Sequence, residues 1–575
     1  MNTRTLTTLA FATVIAATPF VGVAATKPAR ALPPAATIPT PVPTPVTPAV
    51  PTVAPGYHAP DVRPTTANIV GVTQQPFVGI ALDDAIGMAL MKNPDLSVAA
   101  SNTRVAAYQI QEAKGAYDVR FFVTPSIKHD TTAPQNAFFA GGPDYQPIVQ
   151  NDQSVQAGLQ GQTLEGTQYN VNLSQTKVND NTYINAFDPY YLASLNVSVT
   201  QPLLKNFAMN EGKRQLELSV INADASKASA LASVSTTIAS VEDAYWNLVA
   251  AWRNVAIQED ALRQSVSQQA SNVRQAKHGA AAPIDAVESS TQVAIYQENV
   301  FAALQTVSQL QNQLKSLIVT DPGDPIWRAN LVPTSPVLQL PVSPTLESVL
   351  ADALRNRPEV REALDSQKQA NVNLAYAKNQ RLPQADLQLQ YNGNGFAGNA
   401  LPALGPPFGS ATPPPYLGGT YPQAYGNIGK FPTYSASVQF AVPLGNNTAK
   451  GAYSAAQEQE HIAAVQAMGT NERIQYEVRN AVQNYQAALA RLFAARQARR
   501  AAAQVLASEE RKFHNGESTT FLVDQRQVEF VQDEGMELQA QTDLNQAVVE
   551  LQRVDGSILK ENGVSLTTLG QGALK

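Results

Sequence analysis

Carboxylates gather just after two glycines of this 575-residue chain. Asp285 follows Gly279, and Glu517 and Asp524 follow Gly516. Acidic side chains can transfer protons, hold a metal or set up a negative field that attracts cations. The sequence shows no Ser-His-Asp order, paired-carboxylate motif, phosphate-binding loop or metal-ligand spacing. We therefore expect an electrostatic role for these acids, in a protein that is not an enzyme and needs no cofactor or metal.

The composition excludes several further classes of protein. Asp and Glu number 46 against 40 Lys and Arg, which gives a net charge of −6 and makes a nucleic-acid partner unexpected. The chain has no cysteine. A disulfide framework, a thiolate metal site and a cysteine nucleophile are therefore excluded.

The N-terminus has the pattern of a secretory signal peptide over residues 1–25. Arg4 supplies the positive charge, residues 9–23 are apolar, and small residues follow at the cleavage point. An N-terminal membrane anchor is the alternative. Residues 26–76 are rich in proline and predict a disordered, extended linker rather than a packed domain. No later stretch is long and apolar enough for a transmembrane helix, so any membrane crossing would have to use strands.

The two glycines lie at the ends of very long helical patterns. One pattern runs from about Asn210 to His278 and the other from about Lys450 to His514, each without a proline breaker. Each corresponds to roughly 100 Å of helix. Shorter helical patterns follow at 283–318 and 520–555, so each glycine is predicted to turn a helical hairpin.

The sequence repeats itself over most of its length. "PDL" at 94–96 corresponds to "PEV" at 358–360, and later residues match at the same separation. Each unit contains two short helices, strands, a long helix, a tight turn and a medium helix. Since the shorter helices together nearly equal the long helix, we expect them to stack end to end beside it. The predicted parts are a first repeat (77–320), a connector (321–343), a second repeat (344–560) and a C-terminal tail (561–575).

Strand patterns separate the short helices from the long ones. Apolar and polar residues alternate in "SLNVSVTQPL" (194–203) and "YSASVQFAVPL" (434–444), and "ADLQLQY" begins at Ala385. Residues 155–178 predict a further hairpin that turns near Gly166. Such alternation is typical of membrane barrels, but four short strands cannot close one, and an open edge is prohibitive in lipid. Either the strands form a soluble sheet or several copies share one barrel.

The chain resembles the TolC-like outer-membrane efflux proteins from about residue 77 to residue 556. The resemblance rests on the following segments: "LDDAIGMALMKNPDL" (82–96), "LNVSVTQPLLKN" (195–206), "LESVLADALRNRPEV" (346–360), "AYAKNQRLPQADLQL" (375–389), "VQFAVPLGN" (438–446) and the hairpins at Gly279 and Gly516. It implies an α+β membrane protein with an internal duplication. Three copies would share a transmembrane β-barrel, with about four strands per chain, continuous with a long periplasmic α-helical coiled-coil barrel. The segment 155–178 could add strands or extend outside the membrane; we expect four strands per chain.

The function implied by the resemblance is that of an outer-membrane channel in a tripartite export system. The channel would be a passive exit duct for small molecules, working with a periplasmic adaptor and an inner-membrane transporter. A duct for type I protein secretion or polysaccharide export is the alternative within this class. A periplasmic coiled-coil scaffold without a pore is the alternative outside it.

The resemblance also implies roles for the hairpin turns. The adaptor would dock at the tips, which are Gly279, Ala280, Pro283, Gly516, Glu517, Ser518 and Thr519; the alternative is that these are turns only. Some relatives carry gate aspartates six and nine residues after the second glycine. Leu522 and Gln525 occupy those positions here, so Asp285 and Asp524 are the acidic gate candidates. Pro202 and Pro443 are predicted strand-to-helix turns. His278 and His514 are expected to be exposed rather than to form a pH switch.

Overall fold

The computed structural model describes most of the chain from residue 76 onward. The described residues are 76–136, 140–141, 144–182, 184–279, 282–336, 345–402 and 413–564. The predicted signal peptide, nearly all of the linker and Ala280 lie outside these residues. Part of the connector and the end of the tail lie outside them as well.

The elements follow the order predicted from the sequence, with additions. The helices are α1 (Leu82–Lys92), α2 (Pro94–Lys114), α3 (Glu211–Lys277), α4 (Pro283–Ile318), α5 (Leu346–Asn356), α6 (Pro358–Gln380), α7 (Tyr421–Gly426), α8 (Asn447–His514), α9 (Thr520–Asp555) and α10 (Ile558–Glu561). The strands are β1 (Phe77–Ile80), β2 (Arg120–Thr132), β3 (Ile148–Gln162), β4 (Gln168–Asp180), β5 (Phe187–Pro202), β6 (Asn330–Pro333), β7 (Gln384–Ala400) and β8 (Phe431–Ala441). No described helix is long and apolar enough to cross a membrane.

Side-chain caps fix where the helices begin. The Asn93 side chain accepts hydrogen bonds from the backbone N–H groups of Asp95 and Leu96, and Pro94 occupies the first turn of α2. Asn210 caps α3 by accepting from Lys213 N–H at 3.0 Å. Both caps satisfy backbone donors that a helix start leaves free. The predicted bounds of α4 and α9 are confirmed, and those of α3 and α8 are correct to within a few residues.

Two long helices organise the helical part. Helices α2 (21 residues) and α4 (36 residues) both pack along the 67-residue α3. Helices α6 (23 residues) and α9 (36 residues) pack in the same way along the 68-residue α8. The predicted end-to-end stacking is confirmed. Because α3 also contacts α6 and α9, the two sets of helices form one connected assembly.

The largest hydrophobic core surrounds the middle of α3. Strands β1 and β6 pair in parallel beside it. Tyr245 donates a hydrogen bond to the carbonyl oxygen of Ile80 at 3.0 Å, and Trp252 donates to that of Leu331 at 2.9 Å. Trp246 is also buried. These two tryptophans therefore pack between elements of the core.

The larger sheet has six strands among the described residues, in the order β2-β3-β4-β5-β7-β8, and every neighbouring pair is antiparallel. The expectation of about four strands is therefore wrong. The reason is the hairpin predicted at 155–178, which pairs on both sides and so forms β3 and β4 within this sheet. Its turn lies where predicted, with Gly166 at φ +90°.

The register places apolar side chains on one face across all six strands. One row of directly paired residues is Phe121, Leu159, Val171, Val197, Tyr391 and Tyr434. The adjacent row, on the opposite face, is Phe122, Gly158, Asn172, Asn196, Asn392 and Thr433. Exposure reaches 69% at Phe121 and 74% at Tyr434. Most of the apolar face is therefore uncovered in one chain.

Helix α7 covers a small part of that apolar face. Ala424 packs against Ala193 and Ala397, near the ends of β5 and β7 that lie away from the helices. Tyr425 donates a hydrogen bond to the Gln175 side chain on β4. The covered area is limited to this end, so the apolar rows nearer the helices stay exposed.

Candidate functional site: the helical tips

The first tip joins α3 to α4. Gly279 has φ +73°, and a Cβ atom there would meet no other atom within 4 Å. The glycine is therefore required by the backbone conformation rather than by crowding. Pro283 opens α4, and the Asp285 carboxylate accepts from Ala282 N–H at 3.2 Å. Asp285 thus serves first as a helix cap.

The second tip joins α8 to α9 and is held by more contacts. Gly516 has φ +79°, its N–H donates to Phe513 O, and Glu517 N–H donates to Lys512 O at 2.8 Å. This pair of bonds is the Schellman arrangement that ends helices. The Thr519 hydroxyl oxygen accepts from Leu522 N–H and so caps α9.

A carboxylate on α8 fastens the second tip. Glu509 accepts a hydrogen bond from the Ser518 hydroxyl, and Lys512 Nζ lies 3.3 Å from the same carboxylate. These two donors, with Ser518 the stronger cause, lower the pKa of Glu509. Ser518 therefore stabilises the turn, and its hydroxyl group is already engaged in the hydrogen bond to Glu509.

Asp524 has the most unusual environment among the gate candidates. Burial, with a smaller contribution from the nearby Glu288 carboxylate on α4, raises its pKa to about 6. The neighbouring Gln527 is buried and donates to Gln264 on α3 at 3.1 Å. The start of α9 therefore packs against the first hairpin, which brings acids of the two tips together.

The remaining predicted residues also lie near the tips. Leu522 is 36% exposed, and Gln525 is also exposed. His278 and His514 are both exposed, as expected. The gate and docking roles of all these residues stay predictions.

The junction between the sheet and the helices contains features that the sequence did not reveal. Pro202 ends β5, and Pro443 lies between β8 and α8, so both mark this junction as predicted. Asn210 is 5% exposed and donates through Nδ2 to Leu164 O at 2.8 Å. The cap of α3 therefore also holds the β3–β4 turn. An asparagine before a helical pattern signals a cap, but nothing in the sequence signals its second partner.

Solved structures resemble the whole described fold. The Campylobacter jejuni CmeC outer membrane channel matches at TM-score 0.56 and 14% identity, over 84% of this chain and 90% of that chain. The Vibrio cholerae outer membrane protein VceC matches at 0.56 and 15%, over 83% and 96%. The Neisseria gonorrhoeae MtrE outer membrane channel, solved in its open state, matches at 0.54 and 17%, over 87% and 97%. No protein-family model and no curated protein sequence matches the chain.

These similarities establish the fold. The chain combines long helices with an antiparallel sheet in the arrangement of TolC-like outer-membrane channels. The resemblance predicted from the sequence is therefore confirmed at the level of the fold.

Proposed function

We propose that this chain is a passive exit duct in the outer membrane of a Gram-negative cell. Three copies assemble, their sheets share one transmembrane barrel, and their helices form a periplasmic tube. The two similar series of elements in each chain represent two repeats, so three copies give the tube nearly sixfold symmetry.

The single observation that carries this proposal is the segregation of the two sheet faces. Apolar side chains such as Phe121 and Tyr434 stand exposed on one face, while Asn172 and Asn196 lie in the row on the other. A large uncovered apolar surface marks contact with lipid or another protein. Apolar and polar faces that alternate along each strand suit a wall with lipid outside and water inside. The fold shared with outer-membrane channels supports the same assignment.

The partners follow from the position of the tips. In this proposal a periplasmic adaptor docks on the turns at Gly279 and Gly516 and links the duct to an inner-membrane transporter, which supplies the energy. Small molecules are the proposed cargo. A duct for secreted protein or polysaccharide remains the second candidate of this class, since a passive pore needs the same architecture.

The proposal is tested with the full-length chain expressed in a Gram-negative host. We expect heat-resistant trimers in the outer-membrane fraction and stepwise ion conductance when they are inserted into planar bilayers. Negative-stain images should show threefold tubes longer than ~100 Å, the length that the helices require. Monomers in the soluble periplasmic fraction would refute the duct and favour a coiled-coil scaffold.

A further inference from the structure

The six-stranded sheet ends in two free edges. Within the described residues, β2 and β8 each pair on one side only. Strand β2 leads away from the helices and β8 leads back to them, so β8 of one copy and β2 of another would be antiparallel, like every other pair in the sheet. Backbone groups at an open edge have no partners in lipid, so a membrane-spanning sheet must close.

The strands are already staggered as they would be in a barrel. A line of directly paired residues crosses the sheet through Arg120, Gln160, Asn170, Ser198, Gln390 and Ser435. Arg120 begins β2 at the helical end, whereas Ser435 lies six residues before Ala441, where β8 reaches the helical end. Six residues span about 20 Å and five strand spacings about 24 Å, which corresponds to a tilt of about 40°. Barrel strands in membranes tilt by about 35–45°.

The β3–β4 hairpin belongs to the wall of this barrel. Its residues continue the apolar row through Leu159 and Val171 and the polar row through Gly158 and Asn172. Its turn lies at the helical end, where Asn210 holds it. A hairpin that extended outside the membrane would not need one apolar and one polar face, and its turn would not lie at this junction.

We propose that β2 of each copy pairs with β8 of the next copy, and that three copies close an eighteen-stranded barrel. This inference rests on the proposed function, because the trimer and the membrane belong to it. At this strand spacing and tilt, eighteen strands give a backbone diameter of about 36 Å, whereas twelve give about 24 Å. Chain connectivity places α2, α3, α6 and α8 next to the sheet, so three copies bring twelve helices to the barrel. At 8–10 Å between helix axes, a ring of twelve helices is about 31–38 Å across, which matches the width of an eighteen-stranded barrel.

The stagger also predicts the register at the seam, which is the pairing of β8 in one copy with β2 in the next. Polar side chains stay inside only if the stagger per copy is an even number of residues. Continuing the observed slope by one strand places Ser435 opposite Ser126 of the next copy for a stagger of six. A stagger of eight places it opposite Lys128.

Disulfide trapping tests the seam directly, because the chain has no native cysteine. The double variants are Ser126→Cys with Ser435→Cys and Lys128→Cys with Ser435→Cys. Within one chain β2 and β8 are five strand spacings apart, about 24 Å, far beyond the ~3.8 Å between Cβ atoms that a disulfide allows. Every cross-link must therefore join two copies. The matched control is Ile127→Cys with Ser435→Cys, since Ile127 lies on the opposite face.

After mild oxidation of outer membranes, we expect one of the two double variants to form covalent dimers and trimers, and the control to form neither. Conducting outer-membrane trimers that cross-link in neither register would overturn the seam and leave the proposed function standing. Absence of outer-membrane trimers would overturn both. Electron cryo-microscopy of the unmodified trimer is independent of the substitutions: eighteen strands in cross-section support the seam, and twelve refute it.

Discussion

Glu242 offers a quantitative test of the packing around α3. Its side chain is buried, with 4% exposed, and Asn562 Nδ2 donates to Oε1 at 3.2 Å. Burial, with smaller contributions from the negative charges of Asp243 and Asp83, raises the pKa of Glu242 to about 7. The hydrogen bond from Asn562 acts in the opposite direction.

The raised pKa determines how folding stability depends on pH. In the unfolded chain this carboxyl ionises near 4.5, whereas in the folded chain it ionises near 7. The contribution of Glu242 to stability is therefore fully present below pH 4.5 and is lost as the pH rises to about 7, because the carboxyl loses its proton at a lower pH in the unfolded state. At about 1.4 kcal/mol per pH unit, the loss per chain is about 3 kcal/mol.

Glu242→Gln should remove this loss, because glutamine keeps the acceptor for Asn562 but never ionises. We expect the variant to match the parent at pH 4 and to be more stable by up to ~3 kcal/mol at pH 8.5. The measurement is guanidinium unfolding of the full chain in detergent, followed by circular dichroism at several pH values. Glu298→Gln, at an exposed site on α4, is the control and should leave the pH profile unchanged. A variant no more stable than the parent at pH 8.5 would show that Glu242 is solvated or paired, and the argument from burial would fail.

Three further outcomes are expected. The Arg357 side chain is 3% exposed and lies 2.6 and 2.8 Å from two glutamate oxygens. Arg357→Met should therefore lower the free energy of unfolding by about 3–5 kcal/mol. A decrease below ~1 kcal/mol in guanidinium unfolding would contradict this. Gly516→Ala should destabilise the second tip by about 1–2 kcal/mol because of its positive φ, whereas Gly535→Ala, inside α9 with free space, should stabilise its helix by up to ~1 kcal/mol. Amide hydrogen exchange around the two sites measures both effects, and effects of the same sign in the two variants would contradict the prediction. If Asp524 faces the pore, cation selectivity should rise as the pH passes about 6, and Asp524→Asn should abolish that rise in single-channel recordings; identical profiles would exclude Asp524 from the pore.

The long helices could be predicted because their signals are local. No proline interrupts α3 or α8, the Asn210 cap precedes α3, and a glycine with positive φ follows each of the two helices. These features depend on neighbours within a few residues, so one sequence suffices to locate them.

The strand number could not be fixed in the same way. The alternation over 155–178 shows that a hairpin exists, but not which strand it joins. That choice depends on pairing with β2 and β5, and on the pairing of β5 with β7, which lies nearly 200 residues further along the chain. Strands β1 and β6 were missed because four residues carry too little pattern.

The tips show a similar limit. The sequence identified Asp285 and Asp524 as acidic gate candidates, yet one caps its own helix and the other is partly buried beside Glu288. The difference arises from packing between hairpins that are separate in the sequence, so side-chain environment could not be read from spacing alone.

Burial along α3 differs between the middle of the helix and the part that leads to the first tip. The last fully buried large apolar residue of α3 is Val255, and the half-buried Leu262 still packs against the same core. The fully buried residues beyond Val255 are small or polar: Glu259, Ala261, Ser265 and Asn272. About 33 Å of continuous helix extends from Val255 to Lys277. A tilt of ~5° of this part about the core would move the tip by ~3 Å without breaking a helical hydrogen bond. The contacts that oppose the tilt are small or polar, such as the hydrogen bond from Gln527 to Gln264, so a shift at the tip disturbs little of the apolar core.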